Sequence, residues 1–488
     1  MERETFPASS WLTVALVVAV FAALVFSFGL SIHDDAFISF RYARNLADGH
    51  GLVFNPGERV EGYTNFSWTV LFAAVMALGL NPLSAAPVLG VLAGAGALVA
   101  TGALVRPAGR AGIVGLVVLG TNASFALEAA QGLETCLFSA LVGAAVVLRC
   151  RELDGGRVGG AGLICGLAVL TRPEGALVFA ILEGVPWVMR STTVRERLPS
   201  ALGFAACFVP HMAFRVSFYG DVVPNTFHAK VSGVEHGDPT YVLAFLKRHT
   251  AWVALAVVGA WVELRRARVR GAMLIALCAA WFAYQLYVGG DYKPSFRFLA
   301  PVFVPLAALA ASAVAWAGTR LGHRVAIAAA LAALVGQDAV MTWPSHQWYA
   351  SEHRRMMDER LLAGAFLREH YGPDVWVATH SIGAVPYASM QPTIDMWGLT
   401  DAHIARVEAP DDRQRARGHE KVDYDYVFDR APELYYPHDG AVVAEPSRVP
   451  VPEDFPADFE DRYQQYSYRY GELWIQVFER VDLQGAEG

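Results

Sequence analysis

The chain has 488 residues, 54% hydrophobic and 17% charged, with a formal net charge of −7. A soluble protein carries about 25% charged residues. The shortfall here is concentrated in repeated apolar runs separated by polar or Arg-rich loops, the signature of a polytopic membrane protein. No basic patch with interleaved aromatics is present, which argues against nucleic-acid binding. Five cysteines lie in or beside apolar runs, without CxxC spacing and with none after Met341, so no disulfide-stapled domain is expected.

The first apolar run, Trp11–Leu30, lacks a positive n-region and a small-residue cleavage site and reads as a retained span. It leads into an outer loop, residues 31–68, which opens on the adjacent carboxylates Asp34 and Asp35. Residues 69–80 form an apolar run too short to cross and are expected to lie as a helix in the membrane interface. Ten further runs follow: Ala85–Val105, Ala111–Leu127, Leu133–Leu148, Gly159–Leu170, Ala176–Met189, Ala201–Val216, Ala251–Leu264, Ala272–Val288, Phe298–Ala317 and Val325–Met341. With the first, they make about eleven transmembrane helices. If the N-terminus is cytoplasmic and residues 69–80 do not cross, the loops holding Arg106, Arg149, Arg190, Arg265 and Arg320 all fall inside, as the positive-inside rule requires. Counting residues 69–80 as a crossing would reverse that bias.

On this topology the polar and aromatic loops converge on the outer face. Residues 1–341 are expected to form the membrane domain, and residues 342–488 an extracytoplasmic α/β or α+β domain. Its expected elements are a helix over Asp358–Tyr371 and strands at Val375–Thr379, Thr393–Met396, Tyr424–Phe428 and Leu473–Val477. One-sided chemistry favours a catalytic or binding face, whereas a transporter tends to keep its charges near the midplane, often within inverted repeats.

Ionisable groups at a membrane boundary point to function. One of Asp34 and Asp35 can act as a general base towards a hydroxyl acceptor while the other orients a cation or substrate. On one helical turn they point about 100° apart, and the alternative is that both simply cap the following helix. Glu128 and Glu134, with Tyr63, Asn65, His380 and His419, are candidates for the acceptor or metal side. A divalent cation (Mg²⁺, Mn²⁺ or Ca²⁺) is left open, since carboxylates alone do not specify one. Arg41, Arg172, His228, Lys230, Asp291, Lys293 and Arg297 are candidates for binding a donor phosphate or its sugar, with Glu174 as a structural partner for Arg172.

The run Asp34-Asp-Ala-Phe-Ile-Ser-Phe-Arg-Tyr-Ala43, with Gly51-Leu-Val-Phe-Asn-Pro-Gly-Glu-Arg-Val-Glu-Gly-Tyr-Thr-Asn65, resembles the first outer loop of GT-C glycosyltransferases. The branch it resembles most is that of the mycobacterial arabinofuranosyltransferase AftB. Similar motifs stand at Gly132–Thr135, Thr171–Gly175, Tyr219–Thr226, Gly289–Leu299, Ile394–Asp401 and Gly418–Lys421. The resemblance implies a GT-C fold and a donor sugar, such as arabinofuranose, carried on a polyprenyl phosphate. It further implies inverting transfer to a cell-envelope glycan at the periplasmic face of the bacterial inner membrane. The base would be Asp34, with Asp35 as its neighbour. Alternatives are a related GT-C transferase acting on lipid A or protein, or a non-catalytic membrane factor or lipid-linked glycan transporter.

Overall fold

The structure, a computed structural model, describes residues 8–230, 237–291, 293–409, 419–438 and 440–482. Two residues of the quoted motifs, Tyr292 and Gly418, lie outside them. Each of the eleven long apolar runs is helical. Among the described residues, five helices are long and apolar enough to cross a membrane alone: Pro82–Leu104, Val194–Tyr219, Arg268–Val288, Ala300–Leu321 and the continuous His323–His370. Two bent pairs, Arg106–Gly120 with Ala123–Ala130 and Thr240–Arg248 with Thr250–Arg266, raise that number to seven. Helices Gly160–Thr171 and Gly175–Val188 are shorter, and Thr135–Leu153 ends on the charged residues Arg149, Arg151 and Glu152.

Ala300–Leu321 is the axis of the bundle, and most of its residues are buried. Its alanine-rich sequence lets neighbours approach closely. A Cβ on Gly259 of the helix Thr250–Arg266 would collide with the backbone at Leu309, the small-residue packing on which membrane helices rely.

The outer loop begins with the helix Asp34–Ala47, capped by His33, whose Nδ1 accepts from the Asp35 N–H at 3.1 Å. The short apolar helix runs over Phe66–Ala77, three residues earlier than the expected 69–80. It packs on the first through Phe40 and Phe72, with ring centroids 4.5 Å apart.

The expected division at 341/342 falls within the helical run from His323 to His370, whose two parts meet at Thr342. That run carries the chain from the bundle into a six-stranded sheet. Its strands are β1 (Val377–Thr379), β2 (Thr393–Asp395), β3 (Leu434–Tyr436), β4 (Val442–Val443), β5 (Tyr463–Tyr470) and β6 (Leu473–Arg480). β1 pairs parallel with both β2 and β3; β3 and β4 share one antiparallel edge of β6, and β5 takes the other. The segment Tyr424–Phe428, expected as a strand, is instead a helix over Tyr424–Asp429. The Asp423 carboxylate accepts the Tyr426 N–H at 3.0 Å and starts the turn.

Candidate active site

Asp35 sits where the outer loop meets the segment Gly289–Leu299. Its Oδ2 accepts from Lys293 Nζ at 3.0 Å and from Arg297 Nη1 at 2.8 Å. The Lys293 side chain is 0% exposed and that of Arg297 11%, yet 34% of the Asp35 side chain is open. The carboxylate thus lies in a recess, surrounded by protein but reachable. Burial pushes its pKa up, and the cations beside it, Lys293 first and then Arg297 and Lys230, outweigh that, holding it well below the usual carboxylate range. Lys293 is itself pulled below the ordinary lysine value, by burial first and then by Arg297. Its ammonium lies 3.1 Å from His33 Nδ1. That nitrogen also accepts the Asp35 N–H, so His33 is neutral with its proton on Nε2, and burial followed by Lys293 lowers its pKa. His33 stacks on His353, with centroids 4.5 Å apart.

Asp34 faces elsewhere. Its Oδ1 accepts the Ala384 N–H at 3.0 Å and pairs with Arg360 at 3.3 Å, with 17% of its side chain exposed. It therefore ties the first outer helix to the outer domain.

Several candidates occupy closed positions. Arg41 is 0% exposed, and its guanidinium donates to the carbonyls of Phe54, Pro386 and Gln391 and to Asn55 Oδ1. It offers nothing to a phosphate, and its reading as a donor-binding residue is corrected to that of a structural post. Asn65 is spent in the same way, accepting from Ser39 and Thr69 and donating to Glu134 at 2.9 Å. Tyr63 is buried, and its hydroxyl bonds to that of Tyr219 at 3.1 Å. Neither residue presents itself to an acceptor or a metal. Arg172 lies between Glu134 (3.3 Å) and Glu174 (2.8 Å), against the Phe298 ring. Glu128 is fully buried and accepts from Thr135 at 2.9 Å. Asp291 pairs with Arg297 at 3.0 Å and so backs the recess.

The sheet-bearing C-terminal domain docks onto this region. Asn225 donates to the carbonyls of Gly398, Leu399 and Asp401, and Lys421 Nζ to those of His228 and Ala405. These bonds dock the loop bearing His228 and Lys230 onto the Ile394–Asp401 motif. His228 itself pairs with Asp221 at 2.9 Å, whereas Lys230 is exposed. His380 and His419 flank Trp397, with centroids 5.0 and 4.0 Å away. Sequence reasoning missed His33, Arg360 and Trp397. His33 stands immediately before Asp34, and Trp397 lies inside a motif already singled out.

The donor set does not fit a divalent cation. Asp34 and Asp35 diverge, each matched to its own cation, and among the described residues no three His, Cys, Asp or Glu side chains converge as metal ligands.

These features define a class: a multi-pass membrane protein with the GT-C fold, with the Asp35 group of carboxylates and cations at the end of the bundle that lies beneath a sheet-bearing domain. The crystal structure of ArnT from Cupriavidus metallidurans bound to undecaprenyl phosphate matches with a TM-score of 0.63 at 14% identity, over 98% of this chain and 99% of that one. Its apo state matches at 0.61 and 13%. In sequence, the chain is similar to two proteins named terminal beta-(1->2)-arabinofuranosyltransferase. The one from Mycobacterium tuberculosis is 29% identical over 353 residues, 61% of this chain and 55% of that protein. The one from Corynebacterium glutamicum is 28% identical over 384 residues, 67% and 54% respectively. The chain spans about half the length of these curated relatives. Residues 347–478 match a family described as a domain of unknown function, DUF8728. The resemblance carried by the first outer loop therefore holds both in fold and in sequence.

Proposed function

We propose that this chain is an inverting glycosyltransferase. It moves a sugar, arabinofuranose in the reading its curated relatives favour, from a polyprenyl-phosphate donor to a hydroxyl of a cell-envelope glycan. The transfer takes place at the outer, periplasmic face of the bacterial inner membrane. The observation that carries this reading is Asp35, an accessible carboxylate held between two buried cations at the end of the helix bundle. The fold shared with a protein crystallised with undecaprenyl phosphate supports the lipid-linked donor.

In this mechanism Asp35 accepts the proton of the acceptor hydroxyl as that oxygen attacks the anomeric carbon from the face opposite the phosphate. The bond from that carbon to the phosphate oxygen breaks with its electron pair and releases the polyprenyl phosphate. Lys293, Arg297 and Lys230 take up the charge that develops on it. At rest the same cations hold Asp35 ionised. An arriving phosphate draws them away, raises the proton affinity of Asp35 and makes it an effective base only when donor is present. The resemblance carries the base to Asp34. Because Asp34 is tied to Ala384 and Arg360, we assign the role to Asp35.

The test is release of polyprenyl phosphate from a panel of polyprenyl-phosphate sugars, including the arabinofuranose donor, with and without EDTA. Release from one donor, lost in Asp35→Asn and retained in Asp34→Asn, is the expected result. Loss confined to Asp34→Asn returns the base to that residue. Absence of release from every donor by folded protein, with acceptor supplied, moves the reading to a non-catalytic factor or glycan transporter.

A further inference from the structure

Near the recess around Asp35 lies a second surface that the donor chemistry leaves unused. It is built by the turn after β2, where the buried Asp395 carboxylate accepts the N–H groups of Trp397, Gly398 and Thr400 at 2.7–3.1 Å. Gly398 takes φ +74°, a left-handed conformation that glycine adopts without strain. The turn presents a half-buried indole flanked by His380, His419 and His438, with Tyr424 packed against His380. His438 lies 5.1 Å from Trp397, centroid to centroid, and is exposed. The His380 Nε2 lies 3.2 Å from the Tyr424 hydroxyl.

Two observations aim this cluster at the recess. Asn225 fastens the turn to the loop that carries Lys230. His419 lies close enough to Lys230 and Asp35 for their charges to bear on its titration, and its Nδ1 is buried with no hydrogen-bond partner among the described residues. An indole edged by imidazoles and a phenol joins an apolar ring to several donors and acceptors at its rim. A sugar ring has the complementary make-up, with C–H bonds on its faces and hydroxyls around its edge. The donor reaches Asp35 from the lipid side, and a water-borne glycan must come from the side of the outer domain.

We propose that Trp397 and the surrounding histidines form the acceptor subsite, holding a hydroxyl-rich furanose or pyranose ring of the glycan on the water side of Asp35. The proposal rests on the transferase reading above, and its test has one arm that does not. In the kinetic arm, Trp397→Ala raises the acceptor KM at least about tenfold while the donor KM and the thermal unfolding temperature stay as in wild type, and Trp397→Phe restores the acceptor KM to within about threefold. His438→Ala, at an exposed position, raises the acceptor KM without affecting folding. An unchanged acceptor KM in both alanine variants overturns the proposal, as does an equal rise in donor and acceptor KM. In the binding arm, an arabinofuranose oligosaccharide and a mannose oligosaccharide are titrated calorimetrically into the full chain in lipid nanodiscs. Binding of either one by wild type, weakened at least about tenfold in Trp397→Ala, supports the subsite. Equal binding by both proteins, or none by wild type, overturns it. If no donor is turned over, the transferase reading fails while this arm still decides the subsite.

Discussion

Two groups of buried charge occupy opposite ends of the helix Thr135–Leu153, and they are built differently. At its far end Arg149 donates from Nε to the Leu182 carbonyl and from its two Nη atoms to Glu152 and Glu183, each at 3.1 Å. Glu152 also accepts the Ala161 N–H, and Glu183 accepts from Ser200 at 2.7 Å and Arg197 at 3.4 Å. Every charge there is answered. Fifteen residues earlier, roughly 22 Å along the helix, Glu134 opens onto the Asp35 region. There Gln131, His33 Nε2, Arg297 Nε, Tyr349 Oη and His353 Nε2 are buried without a hydrogen-bond partner among the described residues. Buried polar groups are nearly always paired, so a concentration of unpaired ones needs a specific reason. A closed network of this kind holds helices together. An open one, with an accessible carboxylate at its centre, is suited to a charged ligand.

The largest expected effect is at the open end. Asp35→Asn removes the base while keeping the shape of the side chain, and should lower kcat/KM by about a thousandfold. Near-normal turnover by that variant would end the distinction between the two clusters as site and scaffold. Lys293→Met should follow, at about a hundredfold, through loss of charge stabilisation at the leaving phosphate. Lys293 also sets the pH response. Because its pKa is lowered from 10.5, the alkaline limb of kcat/KM should begin below the ordinary lysine range, as the ammonium loses its proton. Asp35 works in the opposite direction. Its folded pKa is depressed, so its ion pairs stabilise the protein above the normal carboxylate range and are lost only as pH falls through the lowered value. Thermal unfolding of wild type and Asp35→Asn, compared from pH 7 downward, should therefore converge in acid.

At the closed end the prediction reverses. Arg149→Met leaves Glu152 buried without its cation and Glu183 with Arg197 alone, and should destabilise the fold by about 3–5 kcal/mol. The protein that remains folded should transfer sugar at the wild-type rate. A fall in kcat with unchanged unfolding temperature would make the closed cluster part of the machinery.

The sequence was most legible where local pattern decides structure. The apolar runs mark the helices, and the Asp-Asp pair after the first of them leads to the candidate site. It was least legible where long-range partners decide. Arg41 looks like an anion binder until the chain returns 345 residues later to lay the Pro386 carbonyl on its guanidinium. Glu128 and Glu134 look like acceptor or metal contacts, but the fold buries both, one on Thr135 and the other on Arg172 and Asn65. The strand expected at Tyr424–Phe428 failed because one capping carboxylate outweighed the β-propensity of two tyrosines, a valine and a phenylalanine. β5, Tyr-Gln-Gln-Tyr-Ser-Tyr-Arg-Tyr, was overlooked because its alternation is aromatic against polar and holds no aliphatic residue.

The smallest effect bears on the two adjacent carboxylates themselves. Asp34→Asn keeps an oxygen able to accept the Ala384 N–H and loses only the charge facing Arg360. Arg360 and Asp34 are each mostly shielded, so the fold should weaken by about 1–2 kcal/mol, in line with loss of a charge-assisted hydrogen bond. Transfer should fall less than about tenfold, because the change reaches Asp35 only through the placement of the first turn of the helix. Arg360→Gln should give the same small loss, and the double variant should add little to either single one, since the two residues form one contact. Parallel kinetics and unfolding of the three variants test this directly. A thousandfold loss in Asp34→Asn alone, with Arg360→Gln unaffected, would make Asp34 the base and reduce Asp35 to the counter-ion of the phosphate-binding cations.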